Sequence, residues 1–125
     1  LAVEAVITGL GSPNEAAGVV ISHSEATGTH LLAVLDKRNE IQLRLVGGGP
    51  TTVLVSATRT ITSPVTVRLE RSGANVTVTM NGVVALGHTL NAAQQTRLGT
   101  GTGAGVFWQK GKDVRVVSID FEEVP

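Results

Sequence analysis

Along most of the chain apolar and polar residues alternate with a period of two, the pattern of a strand with one packed and one wet face. Between residues 65 and 88 that pattern turns twice. Val65, Val67 and Leu69 alternate with Thr66, Arg68 and Glu70. Arg71-Ser72-Gly73-Ala74 then reads as a turn, because glycine supplies backbone angles that other residues resist. Val76, Val78 and Met80 alternate with Thr77 and Thr79, and Asn81-Gly82 follows. That dipeptide is a strong hairpin signal, since both residues tolerate the positive φ of a type I′ turn. Val83 to His88 leaves as a third strand, so the passage is an antiparallel meander.

The same grammar holds elsewhere. Ala2 to Thr8 and Ala17 to Ser22 read as strands, and His23 to Thr29 as a polar turn region. His30 to Leu35 and Glu40 to Val46 are strands joined by the turn Asp36-Lys37-Arg38-Asn39. On the second, Ile41, Leu43 and Leu45 face one way while Gln42 and Arg44 face the other. Gly47 to Pro50 breaks the chain before Thr51 to Ala57 resumes it. Gly105 to Gln109 and Asp113 to Glu122 close the series, joined by Lys110-Gly111-Lys112. About ten strands at this spacing predict an all-β sandwich or barrel. Only Leu90 to Arg97 has helix-forming residues without β-branched crowding, enough for one or two turns. Gly99 to Gly105 is too rich in glycine to be other than a loop or a strand approach. There is no internal repeat, and residues 1–125 read as one domain. The start on Leu1, directly in strand-like sequence, is what a module excised or processed from a larger protein would show.

Composition narrows the function. The chain has 125 residues, enough to bury a core without metal or disulfide staples. Lys+Arg and Asp+Glu number ten each, a formal net charge of zero, which gives no electrostatic reason to expect nucleic acid as partner. No apolar run reaches the roughly 18 residues of a membrane span, so no membrane insertion is expected. The first residues carry Glu4 and no basic start, unlike a signal peptide. Cysteine is absent, which removes disulfides, thiol catalysis and cysteine metal sites. Phe107, Trp108 and Phe121 are the aromatics, and at least two of them sit in apolar strand contexts that read as core.

The order of these features is similar to a known family. A strand in GVVISHS precedes HLLAVLD and EIQLRLV; PVTVRLERSGANVTVTMNG, GVFWQ and VVSIDFEEV follow. This order resembles the concanavalin A-like jelly roll in its laminin G-like form, including bacterial and phage members. Thr66 to Gly82 is the most specific part. The resemblance implies two antiparallel sheets packed face to face, and a family containing lectins, glycoside hydrolases, adhesion domains and structural domains of phage tails and fibres. Such a fold does not select one function.

Hydrolysis does not fit. A glycosidase needs two carboxylates about 5 Å or 6.5 to 9.5 Å apart, and the enzymes of this superfamily carry theirs as E-x-D-x-x-E or E-x-D-x-E amid aromatics. No such pattern occurs; Asp120, Glu122 and Glu123 read as a solvated strand end. Nor does Ser22-His23-Ser24 make a nucleophile and base, because adjacent strand residues point to opposite faces. The chain is expected not to be an enzyme. A phosphate role for Gly99 to Gly105 also fails, since a strand and not a helix follows.

Some laminin G-like domains bind calcium at the rim through acidic side chains and carbonyls. Asp36 with Asn39, or Asp113, would supply donors here, although turn chemistry explains the same residues. No pair of His23, His30 and His88 has the local spacing of zinc ligands. For a glycan, His30, Gln42, Arg44, Arg68 and Thr79 are the outward polar residues, and Trp108 is the aromatic platform if it points outward. The leading expectation is a non-catalytic attachment or glycan-recognition module, extracellular or virion-associated, with a phage tail or fibre as context. Its partner would be a glycan or cell-surface receptor. The alternatives are a structural module packing on neighbouring subunits or domains, a homo-oligomer included, and an adhesion domain binding protein through its loops.

Overall fold

The computed structural model describes residues 1–10, 16–36, 39–61, 63–109 and 114–122. Among the described residues ten strands and one short helix follow in the order β1 (Ala2–Thr8), β2 (Ala16–His23), β3 (His30–Asp36), β4 (Glu40–Val46), β5 (Thr52–Thr58), β6 (Val65–Ser72), β7 (Asn75–Met80), β8 (Val83–Thr89), α1 (Ala92–Leu98), β9 (Gly103–Gln109) and β10 (Arg115–Glu122). They form two five-stranded antiparallel sheets, ordered β10-β1-β6-β7-β8 and β5-β4-β3-β2-β9. The expected all-β, two-sheet sandwich is the observed fold. The glycine-rich stretch after α1 ends as a loop at Thr102, and strand begins at Gly103. The turn at 110–113 and residues Lys37 and Arg38 lie outside the described residues.

Alternation carries the core. Val3, Ala5 and Ile7, Val65, Val67 and Leu69, and Val76 and Val78 fill the inner face of one sheet. Opposite them lie Ala17, Val19 and Ile21, Leu31, Ala33 and Leu35, and Ile41, Leu43 and Leu45. This core is wholly aliphatic. The reading of at least two aromatics as core is therefore corrected: Trp108 is 58% exposed, Phe121 is 56% exposed, and Phe107 is half-buried. The cause lies in strand order. β9 and β10, which carry them, are edge strands of their respective sheets. An inward phase at a sheet edge does not guarantee cover from the facing sheet.

Both corners of the meander are two-residue hairpins. Ser72 pairs with Asn75 around Gly73-Ala74, and Gly73 has φ 60°, the left-handed first position of a type II′ turn. Asn81 and Gly82 have φ 52° and 82°, as a type I′ turn requires. The helix begins on Asn91, whose side chain accepts from Gln94 N while the Gln94 side chain accepts from Asn91 N. This reciprocal cap satisfies two otherwise orphaned N–H groups. Leu98 is fully buried at the other end, so the helix plugs one end of the sandwich.

Candidate functional site

The β3–β4 hairpin and its neighbours build one polar surface. In the β4 ladder Gln42 lies opposite Val34 and Arg44 opposite Leu32, on the side away from the core. Their side chains are tied along the strand: Gln42 Nε2 donates to Glu40 Oε1, and Arg44 Nε donates to Gln42 Oε1 at 2.7 Å. A row of acid, amide and guanidinium is thereby fixed before any ligand arrives. His30 stands at the end of β3, its Nδ1 3.1 Å from Gly28 O. Beside this polar strip the same face is apolar. Leu32 and Val34 point away from the core yet are sealed beneath their neighbours, so the apolar surface offered on this face comes from the half-buried Val20 and Phe107 on β2 and β9.

A bulge shapes one end of the face. The β2–β9 register shifts between Val20 and His23, and Ser22 takes φ 56° within that shift. The extra residue turns His23 toward His30, with ring centroids 5.6 Å apart. Ser22 itself is buried, and its hydroxyl accepts from Arg71 Nη1 at 3.1 Å, a bond that joins the two sheets. Burial also pulls the Arg71 pKa below the ordinary arginine value.

The structure therefore divides the residues singled out in the sequence. His30, Gln42 and Arg44 share one face. Arg68 and Thr79 lie opposite one another on the outer face of the other sheet. There Arg68 meets Glu122 at 2.9 Å, Glu70 at 3.2 Å and Glu4 at 3.6 Å. Burial works against its charge, but the hydrogen bonds and charges of Glu122 and Glu70 outweigh it, and its pKa is raised. Trp108 is with neither group: it pairs with Ala17 and lines a hollow with Val106, Val114 and Val116. Sequence reasoning missed Phe107, His23 and Glu40 as members of the β3–β4 face. Glu40 was legible from its alternation with Gln42 and Arg44, whereas His23 needed the bulge.

For calcium, Asn39 has φ 62° and its Oδ1 accepts from Ile61 N at 3.2 Å, so it braces a turn. Asp36 lies opposite Glu40, and Asp113 falls outside the described residues. Among the described residues no group of three or more His, Asp or Glu side chains is placed to hold a metal ion.

No family model matches this chain, and no curated protein matches it. Solved structures do. The carbohydrate-binding module CBM66 from Bacillus subtilis superposes with a TM-score of 0.63 at 14% identity, over 86% of this chain and 63% of that one. The chain thus spans less than two thirds of that module. Sheep galectin-11, in complex with glycerol, gives 0.67 at 12% identity over 95% and 87%. A tetrameric galectin from the ball sponge Cinachyrella sp. gives 0.59 at 12% identity over 95% and 89%. With no matching family model, the laminin G-like and phage forms rest on the sequence resemblance alone. What the likenesses share with this chain is the jelly-roll β-sandwich fold.

Proposed function

We propose that this chain is a non-catalytic glycan-recognition module that binds on the outer face of the β5-β4-β3-β2-β9 sheet. The observation that carries this reading is the Glu40–Gln42–Arg44 ladder, on the same face as the half-buried apolar side chains of Val20 and Phe107. A sugar ring is itself two-sided, with hydroxyls around its rim and C–H groups across its faces. Fixed donors and acceptors next to apolar surface match it on both counts. Because the ladder is already hydrogen-bonded, little side-chain freedom remains to be lost on binding. The fold likeness to a carbohydrate-binding module and to two galectins supports the same reading. The module would serve attachment within a larger extracellular or virion protein. A phage tail or fibre is the context its Ala-, Gly-, Thr- and Val-rich, cysteine-free composition favours.

A glycan array probed with the module displayed multivalently tests the reading, since weak sites show themselves through avidity. Wild type should give specific hits. Arg44→Ala and Gln42→Ala should lose them, whereas Arg68→Ala, on the opposite sheet, should keep them. A blank array for wild type, or equal hits for all variants, would sink the proposal. The exposure of Trp108, Val117 and Phe121 along the two edge strands favours a second reading, assembly with neighbouring subunits or domains. Mass measurement in solution would show it as a homo-oligomer that dissociates on Trp108→Ser or Phe121→Ser.

A further inference from the structure

The face described above continues into a groove along β9. One hollow of about 450 Å³ is edged by Phe107, Val20, His30 and His23. A second, of about 380 Å³, runs on between the turn after β2 and the loop carrying Thr100 and Thr102. The two share His23, Glu25 and Gly103, so they form one trough. Three glycines shape it, in two different ways. At Gly101 an added Cβ would lie 2.6 Å from the His23 backbone, and at Gly103 it would lie 3.1 Å from His23 Cβ. Those two glycines allow the loop to approach His23. Gly105 is different: a Cβ there would meet nothing within 4 Å, so this position is open space. From Gly103 to Phe107 the strand alone covers roughly 13 Å, and the trough continues past it to Thr100.

The charge of the trough is as informative as its length. Among the described residues, Glu25 is the one charged side chain lining it, accompanied by His23 and His30. Arg44, on the adjoining face, is tied along its own strand to Gln42 and is not among the residues that line the trough. A carboxylated or sulfated sugar lying in the trough would meet Glu25 with no cationic side chain among its described lining residues to offset the repulsion. Hydroxyls, in contrast, would find imidazole nitrogens, threonine hydroxyls and a carboxylate. We propose that the ligand is an uncharged glycan chain of several units lying along β9, in preference to a single terminal sugar or an acidic glycan. This rests on the reading of the outer face as a glycan site.

Isothermal titration tests it with neutral series from monosaccharide to hexasaccharide (cello-, malto-, xylo-, galacto- and fructo-oligosaccharides) and with acidic probes (oligogalacturonate, sialyllactose, heparin oligosaccharides). In one neutral series, affinity should rise by about tenfold or more, 1.4 kcal/mol, between monosaccharide and tetrasaccharide and then level off. Gly105→Val should fold normally, because its side chain enters open space in a strand, yet bind the tetrasaccharide at least about tenfold more weakly. Thr102→Val should weaken the longer ligands and leave the disaccharide unchanged. Tight binding of a monosaccharide, preference for an acidic probe, or unchanged binding by a folded Gly105→Val would overturn the trough and leave the glycan reading standing. Binding of no glycan by the wild-type module, on the array and in titration alike, would overturn both.

Discussion

Trp108 stands opposite Ala17 across the β2–β9 ladder and so shares its inward phase, yet Ala17 is sealed and Trp108 is 58% exposed. The difference comes from position in the sheet. β2 has a strand on each side, whereas β9 ends its sheet, and Trp108 lies near the end of β9.

Trp108→Ala should therefore leave the melting temperature nearly unchanged. Emptying a buried tryptophan site costs about 3 to 5 kcal/mol, whereas most surface substitutions stay within about 0.5 kcal/mol. Thermal unfolding distinguishes these outcomes, and a fall of many degrees would contradict the exposure. As the sole tryptophan, Trp108 should also be readily quenched by acrylamide in the folded protein. That quenching should not change when a glycan occupies the β3–β4 face.

Arg97 is a second test, of how the helix holds the sandwich together. Its Nε donates to Gly47 O at 2.7 Å, Nη1 to Thr52 Oγ1 at 3.0 Å and Nη2 to Pro50 O at 2.6 Å. One guanidinium thus closes the β4–β5 turn, where Gly47 (φ 86°) is pressed so close to Gly28 and Thr29 that an added Cβ would lie 2.8 Å from them. Arg97→Ala should cost about 1.5 to 3 kcal/mol, the range for hydrogen bonds to a charged group. Arg97→Lys should recover only part of it, since an ammonium cannot reproduce the planar fork. Urea unfolding that gave Arg97→Lys full stability would refute this account.

Strand positions were legible because period-two alternation and turn residues are local signals. Val65 to Met80 shows both in a single run, and the structure places two strands there, with the corner narrowed from Arg71–Ala74 to Gly73-Ala74 because Arg71 and Ser72 pair with β7 and extend β6. His30, Gln42 and Arg44 could be grouped because one hairpin carries all three. Arg68 could not be separated from them by sequence. A sandwich has two outer faces, and alternation marks a residue as outward without saying which face it joins. That assignment depends on long-range pairing, β1 with β6 and β2 with β9, which local periodicity does not encode. His23 was hidden for another reason. A bulge shifts the phase by one residue, and the same letters then describe the opposite orientation.

The Arg68 cluster yields an ionic-strength prediction. Glu4, Glu70 and Glu122 surround one guanidinium, and Asp120 pairs with Glu4 on the same face. Arg68→Ala leaves four carboxylates without the cation between them. At low salt the variant should lose about 1 kcal/mol or somewhat more, beyond a single exposed pair because a network is broken. Raising the salt to about 1 M shortens the screening length to about 3 Å and should remove most of the deficit. Equal destabilisation at low and high salt would show that packing of the arginine stem, and not its charge, matters there.

The last test concerns the corner at Asn81. Its N–H donates to Thr66 O at 2.8 Å, and its Oδ1 accepts from Thr66 N at 2.9 Å, so the β7–β8 turn is stitched to the start of β6. The residue also holds φ 52°, which costs an ordinary L-residue roughly 1 to 2 kcal/mol. Two substitutions separate these contributions. Asn81→Gly removes the side-chain bond but accepts the backbone angle, so it should cost about 1 kcal/mol. Asn81→Ala removes the bond and adds the conformational strain, so it should cost about 1 kcal/mol more than the glycine variant. Chemical denaturation of the pair measures both terms. If alanine proved as stable as glycine at this position, the left-handed corner would not be what holds the hairpin in register.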